Sequence, residues 1–426
     1  MKNRGHTPGF VGVIICLVLA LGCESKSSSP QPGERGETDT LRFTEASSGL
    51  PASGRWRQGI AFCDINHDGH MDIVALPPRL PEEGEGRPSV WYGDGEGRWS
   101  RSDLGVPQDM GFVYGSVAAG YFNDDEYLDM AFAMHTVAAK AFTGSAEGRY
   151  EDFSQGLPAK EEFSSRAVVS ADFNNDGLSD LAFLSEGSSK RGNRGKKGIR
   201  VCYASQEGWR CSPMGGEAAN GLFGDQITTG DVNGDGKVDI AAGSLEHTRN
   251  LIVWVNDGKE GFIPFNQGLV QGMHYPSVSL ADIDGDGRDD LVASISGFGR
   301  EGFMGIKVFL SRSDGFEEMS AGLPDREFFC SVRACDLNGD GDVKIVGGTG
   351  AGGLKIFSHH GRRWQELEAP GLPRKGLEKI YNVYCVDVNA NGKKDIAVMS
   401  SSGGEADKGG IRVFLNRTGM SPGRES

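Results

Sequence analysis

Closely spaced aspartates recur along the sequence in a pattern that could bind a metal ion. The nonapeptide Asp-x-Asn/Asp-x-Asp-Gly-x-x-Asp starts at Asp64, Asp172, Asp231 and Asp282, and a close variant starts at Asp387. Calcium takes six to eight oxygen ligands. Positions 1, 3, 5 and 9 offer side-chain oxygens and position 7 a backbone carbonyl, while glycine at position 6 permits the sharp turn. The pattern therefore predicts about five calcium sites.

The predicted calcium ligands are the side chains at positions 1, 3, 5 and 9 of each loop, and His70 adds only its backbone oxygen. They are Asp64, Asn66, Asp68, Asp72, Asp172, Asn174, Asp176, Asp180, Asp231, Asn233, Asp235, Asp239, Asp282, Asp284, Asp286, Asp290, Asp387, Asn389, Asn391 and Asp395. The last loop holds only two carboxylates. We expect it to bind calcium more weakly, because affinity depends on ligand charge.

Two further loops depart from the pattern. In YFNDDEYLD, Tyr121 replaces the first aspartate and Glu126 replaces the glycine. In DLNGDGDVK, which starts at Asp336, Lys344 occupies the closing position, where its ammonium would take the place of the ion. We expect neither loop to bind calcium. An EF-hand loop begins similarly, but it needs flanking helices and glutamate at position 12, whereas strand-like segments flank these loops.

The seven loops begin 51 to 59 residues apart and are the centres of an internal repeat. Each is followed by an apolar segment, then a β-branched or aromatic strand, a glycine turn and a strand that opens with an aromatic residue. That last strand usually runs into Gly-Leu-Pro. No stretch after residue 40 has a convincing helical period. Four strands in each of seven repeats predict an all-β, seven-bladed β-propeller over residues 41–417.

The two ends of this region complement each other. The last repeat stops after its third strand, near Val413, whereas residues 41–51 match a fourth strand that no first three strands precede. We therefore expect Phe43 and its neighbours to pair with residues 413–415. This pairing would close the ring and remove two exposed sheet edges.

These repeats resemble those of the FG-GAP/VCBS family, the propeller type of integrin α-subunits and many exported bacterial proteins. The resemblance covers roughly residues 41–417 and rests on the aspartate loops and their spacing. It implies a propeller whose calcium ions hold strand-to-strand turns in shape. It says little about activity.

The N-terminus has the features of an export signal. Lys2 and Arg4 precede an apolar run from Phe10 to Leu21 that is too short to cross a bilayer. Residues 1–22 resemble a bacterial lipoprotein signal peptide, in which Cys23 becomes lipidated; an ordinary cleaved signal is the alternative. Residues 23–40 then form a polar tether, and residues 418–426 a C-terminal tail. This predicts a lipid anchor in the membrane of the bacterial cell envelope, with the protein periplasmic or surface-exposed.

Export would place the remaining cysteines in an oxidising compartment. Cys202 and Cys211 flank a short polar turn and are predicted to form a disulfide across a hairpin. The sequence does not assign partners to Cys63, Cys330, Cys335 and Cys385. Because no Cys-x-x-Cys pair is present, neither zinc binding nor thioredoxin-type chemistry is indicated.

The acidic charge is concentrated in the loops. The chain has 59 acidic and 44 basic residues, a formal net charge of -15, and the seven loops alone contain 23 acidic and five basic residues. This balance argues against a nucleic-acid partner, since such proteins depend on a basic face. In a propeller the loops share one face, so a ligand is expected on the opposite, less charged face.

On that opposite face, aromatic and charged residues precede the innermost strands. They are Trp56, Tyr114, His274, Tyr275, Arg326 and Tyr381. Such a mixture suits a glycan or peptide, and packing between blades is the alternative for most of them. No nucleophile elbow, His-Glu-x-x-His motif or phosphate loop is present. We therefore favour a monomeric, non-catalytic binding, adhesion or scaffold module for a protein or polysaccharide. The alternative is a lyase-like, polysaccharide-active enzyme with its base and charge neutraliser among His274, Tyr275, Arg326 and Tyr381.

Overall fold

The computed structural model describes residues 41–79, 86–107, 111–135, 137–160, 162–185, 198–214, 222, 224–245, 251–296, 304–402 and 408–419. The predicted signal peptide, Cys23 and the tether lie outside these residues, as do residues 420–426 of the predicted tail. In the part of the chain that is described, no helix has the length and apolar character needed to cross a membrane.

The described chain folds into 28 β-strands. In order they are β1 (Phe43–Glu45), β2 (Ala61–Cys63), β3 (Asp72–Ala75), β4 (Ser89–Gly93), β5 (Trp99–Asp103), β6 (Gly115–Gly120), β7 (Asp129–Met134), β8 (Lys140–Thr143), β9 (Glu151–Asp152), β10 (Ser165–Ala171), β11 (Asp180–Ser185), β12 (Ile199–Ser205), β13 (Gly208–Pro213), β14 (Ile227–Gly230), β15 (Asp239–Gly243), β16 (Leu251–Asn256), β17 (Phe262–Pro264), β18 (Val278–Ala281), β19 (Asp290–Ser296), β20 (Met304–Arg312), β21 (Gly315–Glu318), β22 (Phe329–Asp336), β23 (Val343–Thr349), β24 (Leu354–His360), β25 (Arg363–Leu367), β26 (Lys379–Val386), β27 (Asp395–Ser401) and β28 (Gly409–Asn416).

These strands form seven antiparallel sheets of four strands each, which are the blades of a seven-bladed β-propeller. Blades 1 to 6 each use four consecutive strands, beginning with β2–β5 and ending with β22–β25. Blade 7 has the order β26-β27-β28-β1, with Phe43 opposite Asn416 and Glu45 opposite Phe414. The predicted fold and the predicted closure by the N-terminal strand are both confirmed.

The core lies between the blades. Every residue of the seven second strands is buried, as expected for strands whose two faces are both covered. Each hydrophobic cluster joins two neighbouring blades; Val74 and Val90 of blade 1, for example, pack with Met130 and Phe132 of blade 2. At the rim, Trp99 of β5 is buried but the rest of that strand is exposed.

The glycine of the connector after a fourth strand allows close contact between blades. Gly156 has a φ of +90°, and a Cβ added there would lie 1.9 Å from the carbonyl oxygen of Trp209 in the next blade. The Trp209 amide donates to the Gln155 carbonyl at 2.8 Å, and its indole Nε1 donates to the Phe153 carbonyl at 2.7 Å. The same approach recurs at the pairs Gly49–Trp99, Gly268–Phe316, Gly322–Trp364 and Gly371–Phe43. The repeated glycine and the aromatic residue that opens the fourth strand are therefore two halves of one inter-blade contact.

The described residues contain two disulfides. Cys202 and Cys211 are bonded across β12 and β13, as predicted. Cys335 and Cys385, which the sequence left unassigned, join the innermost strands of blades 6 and 7. Cys63 and Cys330 are buried outside these disulfides.

Candidate functional site

The seven acidic loops lie at one end of the propeller, because each joins the first strand of its blade to the second. The aspartate at position 1 organises the turn with its own carboxylate. In the loop of blade 5, the Asp282 carboxylate accepts hydrogen bonds from the amides of Gly285, Asp286 and Gly287 at 2.8, 3.1 and 3.0 Å. Asp336 makes the equivalent three bonds in the loop of blade 6. This part of the turn therefore does not depend on which residue closes the loop.

The aspartate at position 9 is a buried link within the blade. The Asp180 carboxylate accepts hydrogen bonds from the Phe173 amide at the start of its loop, at 3.0 Å, and from the Ala204 amide in the third strand, at 2.9 Å. Six blades share this arrangement, through Asp72, Asp129, Asp180, Asp239, Asp290 and Asp395, all of which are fully buried. The closing carboxylate thus connects three parts of each blade.

Burial makes these carboxyl groups weaker acids than usual. It raises the pKa of Asp129, Asp180, Asp239 and Asp290 to about 7, and that of Asp72 and Asp395 to about 6, although the two backbone N–H donors oppose the effect. A cation beside such a group would favour its ionised form. Asp129 makes the same two bonds although its loop begins with Tyr121. The two hydrogen bonds of position 9 therefore do not require an aspartate at position 1.

Three of the four predicted side-chain ligands of the blade 5 loop converge. One carboxylate oxygen from each of Asp282, Asp284 and Asp290 lies within 4.8 Å of the others, a separation compatible with oxygens that share one ion at 2.3–2.6 Å. Arg312 pairs with Asp284 at 2.9 Å beside them. The other four predicted loops carry asparagine at position 3, so they bring fewer charges to the same positions.

In the loop of blade 6, Lys344 lies where the other six blades have the closing aspartate. Its side chain is buried, and its Nζ donates to the Asp342 carbonyl at 3.0 Å. The same Nζ lies 3.3 Å from the Asp342 carboxylate and 4.0 Å from that of Asp340. The ammonium therefore neutralises acidic groups of its own loop, and that this loop binds no calcium stays a prediction.

On the opposite face, two of the predicted ligand-binding residues belong to the core. Trp56 is 5% exposed, packs edge-on against Trp91 and donates from its indole to the Ser53 carbonyl. Tyr275 is 1% exposed, and its hydroxyl donates to the Val270 carbonyl at 2.7 Å. Neither side chain reaches an accessible surface, because both pack inside the inter-blade clusters. Their burial argues against direct contact with a ligand.

Tyr114 and Tyr381 are half-buried at this face, and each lies against an arginine. The Arg57 guanidinium lies 4.8 Å from the centre of the Tyr381 ring, and that of Arg79 lies 5.6 Å from the Tyr114 ring. The Tyr114 ring also stacks against His135, at 4.4 Å between ring centres. Arg79 and His135 were not predicted from the sequence as site residues. Both follow second strands, and the antiparallel register returns those strand ends to this face.

The remaining predicted residues, His274 and Arg326, lie in the connectors before the first strands of blades 5 and 6. His274 is half-buried, and its backbone forms a bridge with Ser296. Arg326 is exposed, and its backbone forms a bridge with Met304. Their side chains are not part of the Arg57–Tyr381 or Arg79–Tyr114 contacts.

A network of side-chain amides crosses this end of the central channel. Gln226, at the start of β14, donates from Nε2 to the Asn382 side chain at 2.7 Å, and its Oε1 accepts from the Ser277 hydroxyl at 2.6 Å. Asn382 in turn donates to the Arg57 carbonyl at 2.8 Å. Beside the network, Asp225 forms an ion pair with Arg166. We call the region formed by Arg57, Arg79, Tyr114, Tyr381 and Gln226 the channel mouth.

Part of the repeat array has a recognisable family. Residues 231–293 match the FG-GAP-like repeat family. This stretch contains the loops that start at Asp231 and Asp282, so the resemblance drawn from the sequence is confirmed for these FG-GAP-like repeats. No curated protein matches the sequence.

A solved structure shares the overall architecture. The chain is similar to the BP39L lectin from Burkholderia pseudomallei, with a TM-score of 0.56 and 15% sequence identity, over 87% of this chain and 96% of the lectin. At this level of identity the likeness shows a shared propeller fold.

Proposed function

We propose that the protein is a non-catalytic binding module that recognises a glycan at the channel mouth, with calcium in the acidic loops bracing the opposite face. The observation that carries this proposal is the pairing of Arg57 with Tyr381 and of Arg79 with Tyr114. A guanidinium held over a ring is already oriented before a ligand arrives, so its N–H donors bind polar groups with a smaller entropy loss.

The chemistry of the mouth suits a sugar. Half-buried aromatic rings offer apolar edges, and the arginines and the Gln226–Asn382 amides offer donors and acceptors for hydroxyl groups. The similarity to a lectin propeller is compatible with this choice of ligand. A protein ligand, the other partner considered from the sequence, would be an outcome of the test described below.

Export and lipid anchoring remain part of the proposal. Both disulfides support an oxidising, extracytoplasmic location, and the signal-like residues 1–22 with Cys23 would supply the lipid anchor in the bacterial cell envelope. Calcium at the five predicted loops would stabilise the strand turns without taking part in ligand contact.

The lyase-like alternative is less well supported. One of its four candidate groups, Tyr275, is buried and already donates to Val270, and burial raises the pKa of the tyrosine hydroxyl above its usual value. A neutral hydroxyl that already donates a hydrogen bond within the protein is a poor base. Incubation with uronic-acid polysaccharides would reveal a lyase by the absorbance of new unsaturated products, and we expect none.

A glycan array with the purified protein, in calcium-containing buffer, tests the proposal. A glycan found in this way is then titrated against Arg57→Gln and Arg79→Gln, each of which should weaken binding about tenfold or more. The matched control is Arg210→Gln. Arg210 lies on the outer strand of blade 3, where it forms an ion pair with Glu260. The affinity of this variant should equal that of the wild type.

Two results would contradict the proposal. One is selective capture of a protein with no glycan bound at any concentration tested. The other is a loss of glycan binding in Arg362→Gln but not in the mouth variants, which would place the site in the groove between blades 5 and 6 that Lys307, Leu323 and Arg362 line.

A further inference from the structure

The axis of the propeller contains a cavity of about 200 Å³, lined by the innermost strands. At about 30 Å³ for each water, this volume would hold roughly six waters, or a small polyatomic ion with part of its hydration shell. Much of the wall is formed by apolar side chains, such as those of Ala118, Val169 and Leu280. The cavity is therefore large enough to hold a small ligand, at a place separate from the acidic loops.

The repeat shows which residue of the wall is exceptional. The third residue before each acidic loop is equivalent in all seven blades, and in blade order these residues are Ala61, Ala118, Val169, Thr228, Ser279, Arg333 and Tyr384. Six of them line the cavity. Blade 6 alone places a charged side chain at this level. It is also the blade whose loop carries Lys344 in place of the closing aspartate.

Arg333 has no acidic partner among the described residues. Its Nε donates to the Val383 carbonyl at 3.4 Å, and no carboxylate of the described chain lies within ion-pair distance of it. Asp225 is the one acidic residue in the described lining, and it is paired with Arg166. Burial lowers the pKa of the Arg333 guanidinium, but an arginine stays protonated in proteins. The cavity therefore contains an uncompensated positive charge, which is costly to keep away from bulk water.

We propose that the central cavity binds a small oxyanion, a carboxylate or phosphate group, on the Arg333 guanidinium. A guanidinium offers a planar fork of N–H donors that matches two oxygens of such a group. The neighbouring Tyr384 hydroxyl accepts a bond from the Ile60 amide at 2.9 Å, which holds the ring beside the arginine. The anion would enter from the channel mouth, since the opposite end carries the acidic loops.

This inference goes beyond glycan binding, because the anion would lie inside the channel on Arg333, although Gln226 belongs to both the channel mouth and the cavity wall. The ligand could be a free anion or an acidic group of a larger molecule. The two sources share the same chemistry, and the probes separate them: inorganic phosphate and acetate represent the free anion, and glucuronate represents an acidic sugar.

The test is a thermal melt of the purified protein titrated with sodium phosphate, acetate or glucuronate, at constant ionic strength maintained with sodium chloride. We expect phosphate or acetate to raise the Tm saturably, and chloride alone to have no comparable effect. A response to glucuronate without a response to either free anion would assign the group to an acidic sugar. Arg333→Gln should weaken the binding at least tenfold, and in anion-free buffer its Tm should equal or exceed that of the wild type. Arg210→Gln, a surface control, should behave as the wild type.

The proposal fails if none of the three probes shifts the Tm of the wild type, or if chloride produces the same shift. It also fails if Arg333→Gln retains the wild-type affinity. Arg333→Lys keeps the charge but loses the fork, so its affinity should fall while some binding remains. If Arg333→Gln does not fold, an unchanged affinity in Arg333→Lys overturns the proposal in its place.

Discussion

A Cβ added to Gly371 would lie 1.7 Å from the carbonyl oxygen of Phe43, and the Phe43 amide donates to the neighbouring Pro370 carbonyl at 2.8 Å. The N-terminal strand is thus held from two sides, by pairing with β28 and by this contact with the connector of blade 6. Closure of the ring depends on a glycine far away in the sequence.

Replacing that glycine should destabilise the closed ring. Gly371 has a φ of +94°, so Gly371→Ala adds backbone strain and displaces Phe43, and we expect a loss of roughly 2–4 kcal/mol in the free energy of unfolding. Gly376, with a φ of +100° and no atom within 4 Å of an added Cβ, is the matched control. Gly376→Ala should cost only about 1 kcal/mol. Equal losses in thermal or denaturant melts would show that the Phe43 contact is unimportant.

Calcium should stabilise the protein through the blade 5 loop and not through the blade 6 loop. Chelation with EDTA should lower the Tm, because a ligand at a hundred times its Kd contributes about 2.7 kcal/mol at each site. Asp282→Asn should remove part of this calcium-dependent gain, since it removes a charge from the converging carboxylates. Asp336→Asn changes the equivalent first position of the blade 6 loop, which contains Lys344. It should leave the calcium-dependent rise in Tm unchanged. A Tm indifferent to EDTA in the wild type would refute the metal assignment.

The closing aspartate should matter even in the loop that starts at Tyr121, which we expect to bind no metal. Asp129→Ala leaves the buried amide of Phe122 and the partly buried amide of Gly144 without their acceptor, and each orphaned buried donor costs about 1–3 kcal/mol. We expect a total loss of roughly 3 kcal/mol that is the same with calcium and with EDTA. Asp124→Ala, at an exposed position of the same loop, should change stability by less than about 0.5 kcal/mol. A loss that appears only in calcium would mean that Asp129 acts through a bound ion.

The inter-blade disulfide should contribute more than the hairpin disulfide. Cys335 and Cys385 are 50 residues apart, and Cys202 and Cys211 are nine apart. By loop-closure entropy, the longer loop is worth about 4 kcal/mol and the shorter about 2.5 kcal/mol. Melts of Cys335→Ser/Cys385→Ser and Cys202→Ser/Cys211→Ser under non-reducing conditions measure the two losses. A larger loss for the hairpin pair would contradict this ranking.

Much of the architecture could be predicted because the determining signals are local and repeated. The aspartate loops, with glycine at position 6, encode a tight turn within nine residues, and seven copies at similar spacing imply a ring of equivalent blades. The missing fourth strand near Val413 and the extra one at Phe43 predicted closure. The Cys202–Cys211 disulfide was predictable for the same reason, since both cysteines belong to one hairpin.

The candidate site was predicted less well, because it depends on contacts between blades. Trp56 and Tyr275 precede innermost strands just as Tyr114 does, yet they are buried while Tyr114 lies at the channel mouth. No local pattern separates these cases. Arg79 and His135 reach the mouth only because the register of second strands returns them there.

The sequence by itself determined the repeat, the number of blades, the closing strand and the positions of the acidic loops, since each follows from residues close together or from simple counting. Only the tertiary structure decided the pairing of Cys335 with Cys385, the burial of the closing aspartates and the place of Arg333 in the central cavity. These features depend on which strands meet around the axis. Residues some fifty positions apart become neighbours there, and the burial they share sets the charge, acidity and bonding of each group.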